Sequence, residues 1–408
     1  MILGMCIRSH AQISCIEDRF RDYGFPEYRC DRLDFYTNGQ AKFDALIKDI
    51  SRARDYIHIE YYKLWNDSTG RMVLDALAEK AKAGVEVKVL YDWYGNSAKK
   101  ANSTTDFVRH YQSLGVDIRP FDPMKFPYLN HIWPRLHRKM VVIDGRVLYT
   151  GGMNIADYYI KGRPEIGAWC DVHARVTGTI VAGYDSLFVS LWYRKYPRDP
   201  AQRSILYNWQ QHQSDSELDN TGTPTPCRAY IVDRRPGRAS ANIRKSYIAC
   251  LDRARHSIRI INPYIMPVKG VRSALVRALR RGVDIQIVLS LKGDGKMSEA
   301  STSREVHYLV QRGAKVWLYK PGFHHDKIMV VDDTLCTIGT ANLDARSLAF
   351  DYEVNGYYVS PEISARLVRY FDSQKQHSEQ LTTDNYTQLY SRKVRRRGFY
   401  LKAIKGIL

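Results

Sequence analysis

The sequence predicts an α/β fold built from two tandem repeats, and two observations support this. Helical and strand patterns of apolar residues alternate along the chain, which favours an α/β class with a largely parallel sheet. A longer motif, His-x-Lys, four residues, Asp, then Gly-x-x-Asn, occurs twice. His325 lies 188 residues after His137, and Asn342 lies 188 residues after Asn154. Two copies in one register indicate duplication of a whole structural unit.

The first repeat contains three helices and three strands in alternation. Helical spacing of apolar residues marks the helices, and period-two alternation or a short apolar run marks the strands. Gly84 and Gly115 follow the second and third helices, as expected of helix ends. The predicted elements are a helix over 41–54, a strand over 56–62, a helix over 70–83, a strand over 85–91, a helix over 106–114 and a strand over 116–121.

The second repeat copies this order, with one difference in length. Gly282 and Gly313 lie 198 residues after Gly84 and Gly115, but the offset falls to 188 at the His-x-Lys motifs. The first repeat therefore has ten extra residues before His137, within the Pro-rich and aromatic segment 122–134. We expect this segment to be a lid or a membrane-dipping loop that brings Phe126, Tyr128 and Trp133 towards the site.

Changes in composition suggest domain boundaries. Residues 210–226 are polar and rich in Ser, Asp, Gly, Thr and Pro, which is typical of a linker. The chain turns basic at its end, where Arg and Lys interleave with apolar residues. The predicted organisation is an extension over 1–30, a first repeat over 31–209, a linker over 210–226, a second repeat over 227–375 and a basic tail over 376–408.

The overall charge predicts an anionic partner. Lys and Arg number 62 against 43 Asp and Glu, so the formal net charge is +19. Nucleic acid, a phospholipid surface and a phosphorylated substrate all fit this charge. Seven cysteines without a Cys-x-x-Cys pair argue against a zinc site or a disulfide framework and favour a reducing compartment. The sequence has no apolar run of transmembrane length.

The residue types of the repeated motif suit a phosphodiester substrate. His137 and Lys139 are two residues apart and therefore share one face of a strand. A His and a Lys from each repeat, with the two Asn amides, would provide two imidazoles, two ammonium groups and two neutral donors. One imidazole can attack phosphorus while the other protonates the leaving oxygen. One copy alone cannot supply both functions in one step.

At these residues the chain resembles the phospholipase D superfamily, whose signature is this doubled motif. The segments Gly339–Ser347 and Tyr352–Asn355, together with Ile59–Tyr62, are similar to the bacterial cardiolipin synthase branch. The resemblance covers about residues 31–375. It implies two half-sites packed with pseudo-two-fold symmetry around one shared active site, each half being a mostly parallel sheet flanked by helices.

The resemblance also implies roles for individual residues. His137 would be the nucleophile that forms a phosphohistidine and His325 the general acid, although the reverse assignment stays open. Asp171 and Glu353 occupy the places of the carboxylates that orient the imidazoles. We interpret the motif residues Asp144 and Asp332 as structural. The candidate catalytic set is His137, Lys139, Asp144, Asn154, Asp171, His325, Lys327, Asp332, Asn342 and Glu353, and the candidate substrate contacts are Glu60, Tyr61, Tyr62 and Trp133.

The implied activity is that of a phosphatidyltransferase. It would pass a phosphatidyl group from one phosphatidylglycerol to another, giving cardiolipin and glycerol, without a metal or cofactor because the lysines carry the positive charge. Alternatives are a hydrolytic phospholipase D, a nuclease on the same scaffold, and a binding module without catalysis, which the intact motifs disfavour. We expect no nucleic-acid partner.

We also expect a peripheral location on the bacterial cytoplasmic membrane, at its cytoplasmic face. The basic tail would provide contacts to anionic lipid, because Arg and Lys near such a surface contribute to binding. The candidate membrane contacts are Phe126, Tyr128, Arg395, Arg396, Arg397 and Phe399.

Overall fold

The structure is a computed structural model that describes residues 14–123, 134–196, 224–237 and 239–401. The chain forms two compact units. The first-repeat unit comprises Glu27–Lys161 and Val172–Ile231, and it holds His137. The second-repeat unit comprises Met1–Pro26, Gly162–Asp171 and Val232–Leu408, and it holds His325. Residues 162–171 belong to the predicted first repeat by sequence but fold with the second-repeat unit, as does the start of the chain up to Pro26.

The first-repeat unit alternates helices and strands up to β5 and then continues as hairpins. Its helices begin where the sequence places a capping side chain: the side chains of Asn38, Asp67 and Thr104 accept hydrogen bonds from backbone N–H groups in the first turns that follow. The elements are β1 (Glu27–Cys30), β2 (Arg32–Tyr36), α2 (Gly39–Ser51), β3 (Tyr56–Tyr61), α3 (Ser68–Lys82), β4 (Glu86–Asp92), α4 (Trp93–Asn96), a 3-10 turn (Lys99–Ala101), α5 (Thr105–Ser113), β5 (Asp117–Phe121), β6 (Met140–Ile143), β7 (Val147–Gly151), α6 (Tyr158–Lys161), β9 (His173–Thr177) and α7 (Ile180–Lys195).

The sheet of this unit is mixed rather than mostly parallel. Its seven strands run in the order β2-β9-β7-β6-β3-β4-β5. Only β3, β4 and β5 are parallel neighbours, because helices connect them. The strands β6, β7 and β9 add antiparallel pairs, since the chain between β6 and β7 is a tight turn that can only reverse direction. The predicted α/β class is confirmed, whereas the predicted parallel character holds for only part of the sheet.

The second-repeat unit repeats this plan. Residues 14–22 form a helix, α1, that packs here through Phe20 against Tyr357, with ring centroids 5.0 Å apart. The boundary between the two units falls within β10 (Cys227–Arg234). The other elements are β8 (Ala168–Cys170), α8 (Asn242–Arg253), β11 (Ser257–Ile261), α9 (Lys269–Arg280), β12 (Asp284–Ser290), α10 (Lys296–Val310), β13 (Lys315–Tyr319), β14 (Gly322–His324), β15 (Ile328–Val331), β16 (Leu335–Gly339), α11 (Ala345–Ala349), β17 (Glu353–Val359), α12 (Pro361–Gln376), β18 (Ser378–Leu381), α13 (Tyr386–Leu389) and α14 (Arg392–Leu401).

The main sheet of this unit has the same mixture of directions. Its strands follow the order β17-β16-β15-β11-β12-β13-β18. The neighbours β11, β12 and β13 are parallel, and the pairs β11–β15, β15–β16, β16–β17 and β13–β18 are antiparallel. A second, small sheet pairs β8 with β14 in parallel. β6 and β15 are fully buried in their units and follow the His-x-Lys motifs directly.

The motif aspartates close the turn after these central strands in the same way in both units. Asp144 has a φ of 50° and accepts hydrogen bonds from the backbone N–H groups of Arg54, Asp55 and Tyr56, each at 2.9 Å. Asp332 has a φ of 49° and accepts from those of Arg255, His256 and Ser257 at 3.0, 2.7 and 2.8 Å. Asp tolerates this left-handed conformation better than most residues. Each carboxylate therefore ties the turn to the start of β3 or β11.

The segment predicted to be a basic tail is largely part of the fold. β18 extends the main sheet beside β13, and α14 packs against α10. Gly398 lies inside α14, where a β-carbon would come within 2.4 Å of the Ala300 carbonyl oxygen. The glycine therefore allows the close approach of two helices instead of interrupting α14. In the part of the chain that the structure describes, no helix is both long and apolar enough to cross a bilayer.

Candidate active site

The first-repeat half-site lies where the chain enters β6. His137 is partly exposed, and Lys139 is fully buried and donates a hydrogen bond from Nζ to the His137 carbonyl oxygen at 2.6 Å. The Tyr62 ring meets the His137 ring edge-on, with centroids 5.0 Å apart, and the Lys139 ammonium lies 5.7 Å from the Tyr62 centroid. The Lys139 ammonium group therefore lies near the Tyr62 ring and the His137 carbonyl oxygen.

Asn154 is held in place by two hydrogen bonds in the same unit. Its Oδ1 accepts from the backbone N–H of Lys63 at 3.1 Å, and its Nδ2 donates to the Tyr159 hydroxyl at 2.9 Å. Asn154 is buried, so these bonds fix the plane of its amide. The backbone of β7 is attached to the motif as well, because the Thr150 hydroxyl donates to the Lys139 carbonyl at 3.1 Å.

The second-repeat half-site has a histidine oriented by a carboxylate. His325 Nδ1 lies 2.7 Å from Asp171 Oδ2, and the Asp171 side chain is completely buried. Lys327 Nζ lies 2.9 Å from the same ring nitrogen and donates to the His325 carbonyl oxygen. One nitrogen cannot donate to Asp171 and accept from Lys327 together. We assign the Nδ1 proton to the shorter, charge-assisted bond with Asp171, which makes Nε2 the nitrogen that would exchange a proton with the substrate.

Asp171 reaches His325 because the segment Gly162–Asp171 folds with the second-repeat unit. The strands β8 and β14 pair in parallel, and the His325 backbone N–H donates to the Cys170 carbonyl at 2.7 Å. A β-carbon on Gly322 would lie 2.1 Å from the Ala168 carbonyl oxygen, and one on Gly167 would lie 2.4 Å from that of Pro321. Two glycines therefore permit the close backbone approach that places a first-repeat carboxylate beside a second-repeat histidine.

Further polar side chains lie around Lys327 and Asn342. Glu353 is completely buried and accepts hydrogen bonds from the hydroxyls of Thr340 and Ser347. Asn342 Nδ2 donates to Asp344 Oδ2 at 3.3 Å, and Asn342 Oδ1 is buried without a hydrogen-bond partner among the described residues. A buried amide with one unused polar atom is suited to contact a substrate.

Comparisons with known proteins agree with this geometry. The family described as "Cardiolipin synthase, PLD-like domain" matches residues 46–192 and 247–375. The cardiolipin synthase of Oceanobacillus iheyensis is 35% identical over 356 residues, which cover 87% of this chain and 71% of that protein. The cardiolipin synthase of Staphylococcus aureus is 33% identical over 376 residues, covering 92% and 72%. The chain belongs to the cardiolipin synthase family with its phospholipase D-like domain.

A solved structure supports the fold assignment of this family member. Phosphatidylserine synthase from Haemophilus influenzae is similar with a TM-score of 0.72 and 17% identity, and the match covers 96% of this chain and 98% of that chain. The predicted membership of the phospholipase D superfamily is confirmed, as is the presence of two such domain segments. The chain is an enzyme of that superfamily, a phosphatidyltransferase of the cardiolipin synthase type.

The predicted substrate contacts Glu60, Tyr61 and Tyr62 lie in different surroundings in the structure. Tyr62 lies beside His137, as described above. Tyr61 is fully buried and accepts a hydrogen bond from Lys42 at 3.3 Å. Glu60 is also fully buried, 3.7 Å from Arg138, and burial raises its pKa to about 7 against the opposing effect of Arg138. Both side chains are enclosed in the unit, and their role as substrate contacts stays a prediction.

The predicted membrane contacts have different outcomes. Phe126, Tyr128 and Trp133 lie outside the described residues, as does most of the predicted lid. Phe399 on α14 is 69% exposed, and Arg396 is exposed as well. Arg395 and Arg397 are partly buried and donate to the carbonyl oxygens of Tyr390 and Lys296, at 3.1 and 3.5 Å. These two arginines therefore hold α14 on its own unit and are poorer candidates for lipid contacts.

The sequence analysis did not select two side chains that lie near the half-sites. Lys42 and His173 are fully buried in the first-repeat unit, and burial, with the nearby charges of Lys42 and Lys139, lowers the pKa of His173 well below its usual value. His173 is two residues beyond Asp171, a spacing that could have drawn attention to it.

In the second-repeat unit, His324 Nδ1 lies 2.6 Å from Asp326, which also accepts from Tyr370. His324 is therefore committed to a buried network, in agreement with its omission from the catalytic set.

The environment of Lys327 makes its charge sensitive to pH. Burial lowers its pKa from 10.5 to about 8, although Asp171, Glu353, Asp326 and Asp344 oppose this effect. Lys327 is charged below that pKa and neutral above it. A phosphate-binding lysine must be charged, so the second-repeat half-site should lose affinity for phosphate as the pH rises through about 8.

We predict that kcat/KM falls above about pH 8 and that Lys327→Arg moves this decline to higher pH, because a guanidinium stays charged there. The measurement is the pH profile of kcat/KM with a soluble phosphodiester. Lys139→Arg is the matched control and should keep the decline near pH 8. An unchanged profile in Lys327→Arg would assign the decline to another group.

Proposed function

We propose that this chain synthesises cardiolipin from two molecules of phosphatidylglycerol. The observation that carries the proposal is the duplicated His-Lys-Asn half-site, of which one copy has an imidazole oriented by a buried carboxylate. The related cardiolipin synthases identify the substrate class. Both histidines would act on one phosphoryl group in the same catalytic cycle, because each half-site offers a single imidazole.

In the first step, an imidazole nitrogen of His137 attacks the phosphorus of the donor lipid. A P–N bond forms, the P–O bond to the head-group glycerol breaks, and His325 gives a proton to the departing oxygen. In the second step, His325 removes a proton from a hydroxyl of the acceptor phosphatidylglycerol. That oxygen attacks phosphorus and the P–N bond breaks, which regenerates His137. Attack by water instead would give phosphatidic acid.

The different surroundings of the two half-sites support this division of roles. Asp171, Asp326, Asp344 and Glu353 act on Lys327 in the second-repeat unit. Carboxylates stabilise a protonated imidazole, which a general acid requires. In the first-repeat unit, burial, with the charges of Lys42 and Lys139, lowers the pKa of His173 well below its usual value. The carboxylates around Lys327 are therefore the feature that favours His325 as the general acid.

The lysines and asparagines would bind the non-bridging oxygens of the phosphoryl group. Charge develops on these oxygens in the transition state, so donors aimed at them lower the barrier. Removal of one such donor typically reduces the rate by about 10²–10³-fold. Lys139 and Lys327 are already placed by hydrogen bonds to the carbonyl oxygens of their own motifs, which limits the reorganisation needed when substrate binds.

We predict that His137→Ala and His325→Ala each reduce cardiolipin formation by about 10³-fold or more, since catalytic residues that act as a unit fail together. The assay follows labelled phosphatidylglycerol by thin-layer chromatography, which separates cardiolipin from phosphatidic acid. His110→Ala and His256→Ala remove exposed histidines from the same two units and should retain normal activity.

Transfer near the normal rate in either catalytic variant would contradict the two-histidine mechanism. A normal chain that releases phosphatidic acid but forms no cardiolipin would indicate a hydrolytic phospholipase D instead. Cleavage of a nucleic acid without turnover of lipid would favour the nuclease alternative, which the net charge of +19 also permits.

We further propose that α14 holds the enzyme on the anionic surface of the bacterial cytoplasmic membrane, at its cytoplasmic face. Arg392, Lys393 and Arg396 are exposed, and they border one surface groove with Tyr400. Phe399 and Tyr400 are 69% and 62% exposed, which is unusual for large aromatic side chains. An amphipathic helix with basic and aromatic residues outside is typical of membrane-surface binding.

We predict that a triple variant, Arg392→Gln, Lys393→Gln and Arg396→Gln, binds vesicles containing phosphatidylglycerol at least about tenfold more weakly, since each basic residue contributes about 1 kcal/mol near an anionic surface. Sedimentation with vesicles measures the bound fraction. The control replaces the exposed Lys48, Lys82 and Arg109 by Gln, which removes equal charge from the first-repeat unit. Equal loss in both variants would mean that net charge, and not α14, determines binding.

A further inference from the structure

The second-repeat unit has a groove of about 560 Å³ that the proposed chemistry does not use. It is bounded by the segment after β11, the first turns of α9 and α10, the start of α11 and the end of α14. Its volume is within the range of small-molecule sites, about 300–1,000 Å³. The groove lies entirely within one compact unit.

The floor of the groove is apolar. Met297 is 48% exposed, and it is one of few large apolar side chains in the described residues that are so open to solvent. Methionine adapts its shape to a flexible apolar ligand. The apolar side chains that line the groove are Met266, Pro267, Val268, Met297 and Leu401.

The rim of the groove is cationic. Lys269 is exposed, and its ammonium group forms no ion pair or hydrogen bond within the described residues. It occupies the first position of α9, where the helix dipole disfavours a positive charge and favours an anion. Arg346 also lines the groove; it pairs with Asp351 at 2.9 Å, and its side chain is 36% exposed. A bound anion would offset the unfavourable position of Lys269.

Residues that line the groove contact residues of the half-site. Asp344 lines it and accepts the hydrogen bond from Asn342 at 3.3 Å. Tyr264 lines it as well, and its ring centroid lies 6.3 Å from that of Phe323, two residues before His325. The backbone N–H of Met266 donates to the Leu343 carbonyl at 2.8 Å, which fixes the groove wall to the loop that carries Asn342.

We propose that this groove binds the acceptor phosphatidylglycerol. Its non-reacting phosphate would contact Lys269 and Arg346, and an acyl chain would lie on Met266, Met297 and Leu401. The acceptor is an anionic amphiphile, so it matches an apolar floor with a cationic rim. The groove would then favour attack by the lipid hydroxyl over attack by water. This assignment rests on the proposed function, because only a transferase needs a site for a second lipid.

The test compares the product ratio of groove variants with that of the unsubstituted 408-residue chain. Lys269→Glu removes the rim charge and Met297→Glu places a charge on the apolar floor; neither residue belongs to the catalytic set. The substrate is phosphatidylglycerol dispersed in detergent micelles, which reduces the influence of bilayer binding. We expect the ratio of cardiolipin to phosphatidic acid to fall about tenfold in each variant, which corresponds to about 1.4 kcal/mol. Hydrolysis of a soluble activated phosphodiester should not change.

Lys296→Glu is the matched control, because it introduces the same charge change on the neighbouring exposed residue of α10, outside the groove lining. It should leave the product ratio unchanged. The inference is overturned if the groove variants keep the normal ratio, or if hydrolysis and transfer fall together. If the normal chain makes no cardiolipin, the proposed function fails instead, so the two failures are distinguishable.

Discussion

The hydrogen bond between Asp171 and His325 is the interaction on which the second-repeat half-site depends. This hydrogen bond forms because the segment Gly162–Asp171 folds with the second-repeat unit, where β8 pairs with β14. The pairing requires glycine at positions 167 and 322, because a β-carbon there would clash with the backbone. A histidine without a partner on Nδ1 would exchange between tautomers and turn freely. The buried carboxylate therefore determines which nitrogen of His325 faces the substrate. The close approach of the β8 and β14 backbones thus sets the orientation of a catalytic imidazole.

The two motifs share their framework and differ in the groups around it. Asp144 and Asp332 close equivalent turns with three hydrogen bonds each, so the strands that follow the catalytic histidines are fixed alike. Loss of Asp144 would leave the buried backbone N–H of Tyr56 unsatisfied, at a cost of about 1–3 kcal/mol. The groups nearby differ, in contrast: the Tyr62 ring lies near Lys139 in one unit, and four carboxylates act on Lys327 in the other. Duplication supplied a common scaffold, and the neighbouring residues differentiate the halves.

The sequence predicted structural features correctly where a residue type occurs in few structural contexts. The doubled motif and the turn aspartates could be predicted directly, because their spacing repeats. The predicted linker over 210–226 lies mostly outside the described residues and stays a prediction. The path of residues 162–171 could not, since no periodicity tells which unit a three-residue strand such as β8 will join. The antiparallel half of each sheet was missed because strand patterns do not encode direction. The close approach of α14 to α10 at Gly398 could not be predicted either, because the two helices are distant in sequence.

The placement of side chains at the end of β3 shows a similar limit. Glu60, Tyr61 and Tyr62 are consecutive, but only Tyr62, which lies just beyond the strand, stands beside His137. Glu60 is enclosed with Arg138, and Tyr61 with Lys42. Alternation along a strand predicts which residues share a face, but both faces of this strand are buried, so alternation alone could not identify the substrate side.

The measurement that tests this account most directly is the tautomer of His325 in the normal chain and in Asp171→Asn, by ¹⁵N NMR of labelled histidine, with His325→Gln identifying the resonance. The account predicts a proton on Nδ1 in the normal chain. In the variant, the Asn amide would donate to Nδ1 and move the proton to Nε2, and kcat would fall by about 10²–10⁴-fold. A neutral ring that carries its proton on Nε2 alone in the normal chain, or an unchanged rate in the variant, would contradict it.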